Sequence, residues 1–338
     1  MLTIYDHIAA NNRKTWLLVL LFPLSLCVLT IGAAVIAFYV MGDLKFAAYF
    51  VVPYQNFLQE HNISITTGNI YFLAGVFFIA GYLPYVIGSG LLWMAVSYFF
   101  GDAMMLGFAY ARPLEKQDNP QVYRAVENVA IAAGLPMPAV FVINDESLNA
   151  FATGRDPKHA SVALTTGIIQ KLEPLELEGV IAHEMAHIGN RDIRLNMLII
   201  TGLSIFGFLA DIIRSHVIYG VSGSKDQQRI KFLLFAVMIA LIIFNFIVAP
   251  LIQMAISRSR EYAADATGAL ITRNPKALAS ALQKISGDAR VEVLDRQATI
   301  SAACIADPRD RRVAFQSLLG THPPVKERIR RLLAMSGE

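Results

Sequence analysis

The sequence predicts an α+β chain that is mostly α-helical, sits in a membrane, and carries a small sheet in its water-facing part. Three observations carry that fold class. Hydrophobic residues make up 55% of the 338 positions and charged residues only 16%, at a mean hydropathy of +0.49. Soluble domains carry about 25% charged residues. Four apolar runs divide the chain. Between the second and third runs, short β-type segments mix with helical ones, without repeats and without βαβ regularity. The net charge of +3 is too small for a nucleic-acid binder, so the expected surroundings are a lipid bilayer and no nucleic acid. Cys27 lies in an apolar run and Cys304 in a polar region, which excludes a disulfide framework.

Residues 1–14 are polar and end in Asn11-Asn12-Arg13-Lys14. Trp16 to Met41 is uncharged and long enough to span a bilayer, which takes about 20 apolar residues. It exceeds the 7–15 apolar residues of a signal peptide. A loop at 42–69 follows, with only Lys45, Asp43 and Glu60 charged. Tyr71 to Phe100 is again uncharged, and is long for one crossing. Basic residues favour the cytoplasmic side. Arg13 and Lys14 place the N-terminus inside and the poorly basic loop outside. One crossing then brings Arg112, Lys116 and Arg124 back inside, so one crossing is expected.

Residues 111–194 read as a soluble segment. Gln121–Ala133 has a helical pattern ending at Gly134. Ala139–Ile143 and Ser161–Thr165 read as strands, with Asn149–Gly154 between them. Ile168–Leu172 reads as a short helix. A longer one starts at Pro174, with acids in its first turn. The third apolar run, Leu195–Ile213, and the fourth, Phe232–Ile256, enclose a loop with Arg214, Lys225, Arg229 and Lys231. That loop opposes the positive-inside rule if both runs span. Residues 195–256 are therefore expected as two crossings or as a re-entrant hairpin, which makes four predicted transmembrane helices. Residues 257–338 form a second, helical soluble segment. Its helices start at Asn274-Pro275 and Asp307-Pro308, and a basic amphipathic one runs from Val325 to Met335.

The helix from Pro174 contains His183-Glu184-Met185-Ala186-His187, an H-E-x-x-H motif. Residues at i and i+4 share a helix face, so both imidazoles can aim at one metal ion. Glu184 can take a proton from a water that a three-ligand zinc ion has acidified. That is peptide hydrolysis in outline. Directly after the fourth run, Glu261 and Asp265 lie four apart in Ser257–Asp265. Glu261 can serve as the third ligand, and Asp265 can accept the outer N–H of a ligand histidine. His322 can cap local backbone.

These motifs together resemble the HtpX-type membrane zinc metalloproteases, which are related to the CAAX prenyl proteases. The matching pieces are Asn149–Gly154 (NAFATG), His183–His187 (HEMAH), Ser257–Asp265 (SRSREYAAD) and His322–Pro324 (HPP). Position 193 is Ile, where a metzincin requires His. The resemblance implies a gluzincin-like domain with one Zn2+ per subunit on His183, His187 and Glu261. It implies Glu184 as general base and later acid, and His322 as a histidine that helps to stabilise the oxyanion. It also implies that Asn149, Ala150, Phe151, Ala152 and Thr153 line the cleft as an edge strand that an extended substrate joins.

The expected function is zinc-dependent endopeptidase action on misfolded or damaged membrane proteins, in quality control and stress response. The expected location is the inner cell membrane, with the catalytic domain on the cytoplasmic side. Protein and peptide substrates are the expected partners, and homo-oligomerisation is left open. Two rivals stand beside it. A CAAX-type processing enzyme needs more membrane helices than four. A non-catalytic adaptor with a structural metal would close its site with four protein ligands, and three are found.

Overall fold

The computed structural model describes residues 4–41, 44–219, 231, 234–235, 237–239, 258–287 and 323–336. The expected helix from Asp307, most of the fourth apolar run, and His322 lie outside the described residues. Three described helices are long and apolar enough to cross a membrane, with candidate spans Ile8–Val35, Ile70–Phe108 and Asp192–Ser215. The fold class stands as expected: a mostly helical membrane protein with a small mixed sheet. The count of four crossings is not reached among the described residues.

The chain divides into two compact units, 1–16 with 96–203 and 248–338, and 17–95 with 204–247. The second unit holds most of helices α1 (Ile4–Met41) and α4 (Ile70–Phe108). Helix α4 is continuous through Pro84, as one crossing requires. Its 39 residues span about 58 Å at 1.5 Å per residue, well beyond a hydrocarbon core of about 30 Å. Helices α1 and α4 meet closely at Gly90, where a methyl group would stand 3.2 Å from Cα of Pro23. Apolar side chains here face outward: Phe72 is 73% and Val28 70% exposed, as a lipid-facing surface requires.

Of residues 42–69, expected as a loop, 44–60 are helical. They form α2 (Leu44–Val51), a 3-10 turn and α3 (Gln55–Glu60). The reason is amphipathicity on a short scale. Ala47, Val51 and Leu58 bury one face against Ile70, Leu73, Ala74 and Phe77 of α4, and Tyr54 stacks on Phe77 at 4.1 Å.

The first unit contains the sheet, in the order β1 (Arg112–Pro113), β2 (Ala139–Ile143), β4 (Ala160–Thr165), β3 (Ala150–Gly154). Strands β2 and β4 are parallel and the other pairs antiparallel. Helix α5 (Pro120–Ala133) starts where the Asn119 side chain accepts from Val122 N–H at 3.2 Å. It stops at left-handed Gly134. Helix α6 (Thr166–Lys171) follows β4 directly.

Helix α7 (Pro174–Gly189) runs through the centre of this unit. Its backbone is held at the start by Glu176, whose carboxylate accepts from the Glu173 N–H at 2.9 Å. The same carboxylate takes Ser280 at 2.6 Å and Lys284 at 2.7 Å from α10 (Pro275–Ile285). Leu177, Val180, Ile181, Met185 and Ile188 are buried in one core with Val126 of α5, Val162 and Leu164 of β4, and Leu278 and Leu282 of α10. Helices α8 (Asp192–Tyr219), α9 (Arg258–Thr272) and α11 (Val325–Met335) complete the described elements.

Candidate active site

The burial of α7 on nearly every side is what makes its polar residues informative. His183 is fully buried and Glu184 is 2% exposed, in a helix otherwise lined with aliphatic side chains. Buried polar groups need partners. Asp192, the first residue of α8, supplies one: its Oδ2 lies 2.9 Å from Nδ1 of His187. Asp265 of α9 supplies another, with Oδ1 3.0 Å from Nδ1 of His183. Each ring thus has its Nδ1 side against a carboxylate, which leaves both Nε2 atoms turned towards each other at 3.2 Å.

Glu261, one turn before Asp265, closes the third side. Its Oε1 is 3.6 Å from Nε2 of His187, and its Oε2 is 3.8 Å from Nε2 of His183. The donor atoms of His183, His187 and Glu261 all lie within 4.8 Å of one another. Two nitrogens bound at about 2.0–2.1 Å to one tetrahedral ion stand about 3.3–3.4 Å apart, so the spacing fits such an ion. The donor set of two imidazoles and a carboxylate fits it as well.

Helix α9 can bring Glu261 this close because position 268 is glycine. A methyl group there would stand 3.0 Å from the backbone nitrogen of His183. Helix α11 contributes Arg328, which is 1% exposed. Its guanidinium donates to both Asp265 oxygens, at 2.8 and 2.7 Å, and lies 3.7 Å from Oε2 of Glu261. Such a planar fork on a carboxylate is the strong form of an ion pair.

The charges follow from these contacts. Burial pushes the Asp265 carboxyl up, but the charge and hydrogen bonds of Arg328 more than reverse this and hold it at about 2. Burial pushes His187 down, while the hydrogen bond to Asp192 and the charge of Glu261 raise it to about 9. Burial raises the Glu184 carboxyl above its ordinary range, against the pull of both histidines. Glu184 also accepts a hydrogen bond from the backbone N–H of Ala152.

That last bond comes from β3, which lies at the edge of the sheet. In an antiparallel ladder alternate residues face the partner strand. The Asn149 carbonyl accepts from Thr165 N–H at 3.1 Å, so the main chains of Asn149, Phe151 and Thr153 face β4. Those of Ala150, Ala152 and Gly154 face away from it. The five sequence-selected residues therefore split. The Asn149 side-chain oxygen accepts from Ala150 N–H at 3.0 Å, and Thr153 Oγ1 donates to Sδ of Met105 at 3.1 Å. Only Ala150 and Ala152 turn main-chain groups outward, and both are buried here. Sequence reasoning missed Asp192 and Arg328. His322 lies outside the described residues.

Comparison with known proteins shows the family. The model of peptidase family M48 matches residues 116–336. A protease HtpX homologue from Tropheryma whipplei strain TW08/27 is 41% identical over 279 residues, covering 81% of this chain and 92% of its own. One from Bacteroides fragilis is 37% identical over 329 residues and covers 94% of both chains. The crystal structure of S. mikatae Ste24p aligns at a TM-score of 0.41 and 19% identity, covering 91% of this chain and 67% of that one. The matched segment contains both histidines, Glu261 and Arg328, and the chain belongs to peptidase family M48, as a membrane metalloprotease.

Proposed function

We propose that the chain is a zinc-dependent endopeptidase that cuts misfolded or damaged membrane proteins. The observation that carries this reading is the convergence of His183, His187 and Glu261 beside a buried Glu184. These three residues would hold the metal. Zinc, when bound, supplies Lewis-acid polarisation of a carbonyl and acidifies a water. Glu184 takes a proton from the attacking water on its carboxylate and passes it to the leaving amine. The Ala152 N–H orients that carboxylate. Asp265 and Asp192 hold the two rings, and burial keeps bulk water from Glu184.

An extended substrate segment pairs with the outward carbonyls of Ala150 and Ala152, whose N–H groups are taken by Asn149 and Glu184. Main-chain pairing reads little sequence, which suits damaged proteins of any kind. His322, the histidine of the HPP segment, helps to stabilise the oxyanion. The soluble segments at 111–194 and 257–338 face the cytoplasm, by the basic residues flanking the first two apolar runs. Helix α8 begins five residues after His187, so loops of neighbouring membrane proteins are within reach of the site.

The test is cleavage of casein by detergent-purified full-length protein, with chelator and with zinc restored. Glu184→Gln is expected to keep its metal and lose activity by about 10²–10⁴-fold. Normal proteolysis by this variant removes Glu184 from the mechanism. Zinc content at the wild-type level in Glu261→Ala removes Glu261 from the ligand set.

A further inference from the structure

Asn11 precedes the first apolar run, and nothing in the sequence singles it out. In the structure it is 3% exposed, on the first turns of α1. Its Nδ2 donates to Oδ1 of Asp192 at 2.7 Å and to the carbonyl of Asn190 at 3.1 Å. A side-chain amide has two N–H groups, so both are used. Both acceptors belong to the turn that ends the histidine-bearing helix α7.

Asp192 is 1% exposed and divides its oxygens. Oδ2 meets Nδ1 of His187. Oδ1 takes Asn11 and, at 3.2 Å, the guanidinium of Arg260, the residue before Glu261. A carboxylate turns easily about its last torsion, because that torsion has broad wells. With Asn11 and Arg260 both on Oδ1, the carboxylate plane is fixed and Oδ2 is left for the ring.

We propose that Asn11 is a positioning residue of the metal centre. By fixing Asp192 it sets the tautomer and the ring angle of His187. The segment before the first apolar run is then part of the metal centre and not only the lead-in to an anchor. The inference rests on His187 being a metal ligand. Groups that orient a ligand from outside cost about 10–100-fold in metal affinity when removed. Asn11 acts one bond further out, so about tenfold is expected.

Docking of α1 alone would also explain a buried asparagine, and Asn12 separates the two roles. The Asn12 Oδ1 accepts from Arg194 at 3.3 Å, so it docks the same turn of α1 without touching Asp192.

The experiment uses full-length protein in detergent, loaded with cobalt(II), whose visible absorption reports the ligand geometry. Release of bound zinc to a chromophoric chelator is followed in parallel. Wild type, Asn11→Ala, Asn12→Ala and His187→Ala are compared. Expected are an altered cobalt band and about tenfold faster zinc release for Asn11→Ala, with Asn12→Ala like wild type. A wild-type band and release rate in Asn11→Ala, beside a lost band in His187→Ala, overturns the proposal alone. So does an equal change in Asn11→Ala and Asn12→Ala. A wild-type band in His187→Ala overturns the ligand assignment itself. If Asn11→Ala does not accumulate, Asn11→Asp keeps the size but turns an acceptor towards Asp192. Faster release there supports the proposal, and unchanged release overturns it.

Discussion

The two histidines of the site are held by the same chemistry from different parts of the chain. His183 leans on Asp265, which is locked by Arg328 from the last described helix. His187 leans on Asp192, which is locked by Asn11 near the start of the chain and by Arg260. One side is closed by the C-terminal part of the sequence and the other by the N-terminal part. The site therefore draws on residues more than 300 positions apart. The difference between the sides is in charge. Asp265 faces a full guanidinium fork, while Asp192 shares its charge between one arginine contact and a neutral amide. The Asp265 side should matter more for stability and the Asp192 side more for fine orientation.

The largest effect should come from the charged side. Arg328→Ala takes the guanidinium away from the buried carboxylates of Asp265 and Glu261, which costs about 3–5 kcal/mol. Denaturant unfolding of the detergent-solubilised protein measures it. A loss below about 1 kcal/mol would mean that water already reaches Asp265.

A smaller effect tests whether the sides are independent. Asp192→Asn and Asp265→Asn are each expected to weaken metal binding by about 10–100-fold. If the two sides act separately, the double variant loses the product of the two factors, read by chelator competition. A markedly smaller loss shows that the sides are coupled through α9, which carries Arg260, Glu261 and Asp265.

The smallest effect lies at the far end of α7, away from both histidines. Burial pushes the Glu176 carboxyl up, but hydrogen bonds from Lys284 and Ser280 hold it below its ordinary value of 4.5. A depressed carboxyl stabilises the fold above its unfolded pKa, and that share is lost as pH falls through the folded one. Stability should fall on acidification below about pH 4.5, and Glu176→Gln should flatten that part of the profile. An unchanged profile assigns the acid sensitivity to other carboxylates.

Spacing rules make part of the site legible and hide the rest. His183, His187, Glu261 and Asp265 sit at i,i+4 intervals on helices, so period alone pairs them. Asp192 follows the left-handed residue Arg191, with φ of 58°, and no helical period carries across that turn. Arg328 reads as one more cation in a basic amphipathic helix. Asn11 reads as part of a polar flank. Their partners are 63 and 181 positions away in sequence, beyond any local pattern. Strands β2 and β4 are legible because they are short, β-branched and bounded by turn residues. The helices at 44–60 are missed because few charges in a stretch between apolar runs read as a loop, while the packing that folds them comes from α4.

The close approach at Gly268 has a further consequence. With no methyl group between α9 and the His183 backbone, the packing of two helices is what brings the three donors within 4.8 Å of one another. Folding and metal binding are therefore linked through the same helix contact. Whatever binds the folded form and not the unfolded one stabilises it by mass action, by about 2.7 kcal/mol at a free concentration 100 times the dissociation constant. Metal supply therefore bears on how long the folded chain survives in the membrane, as well as on whether it is active.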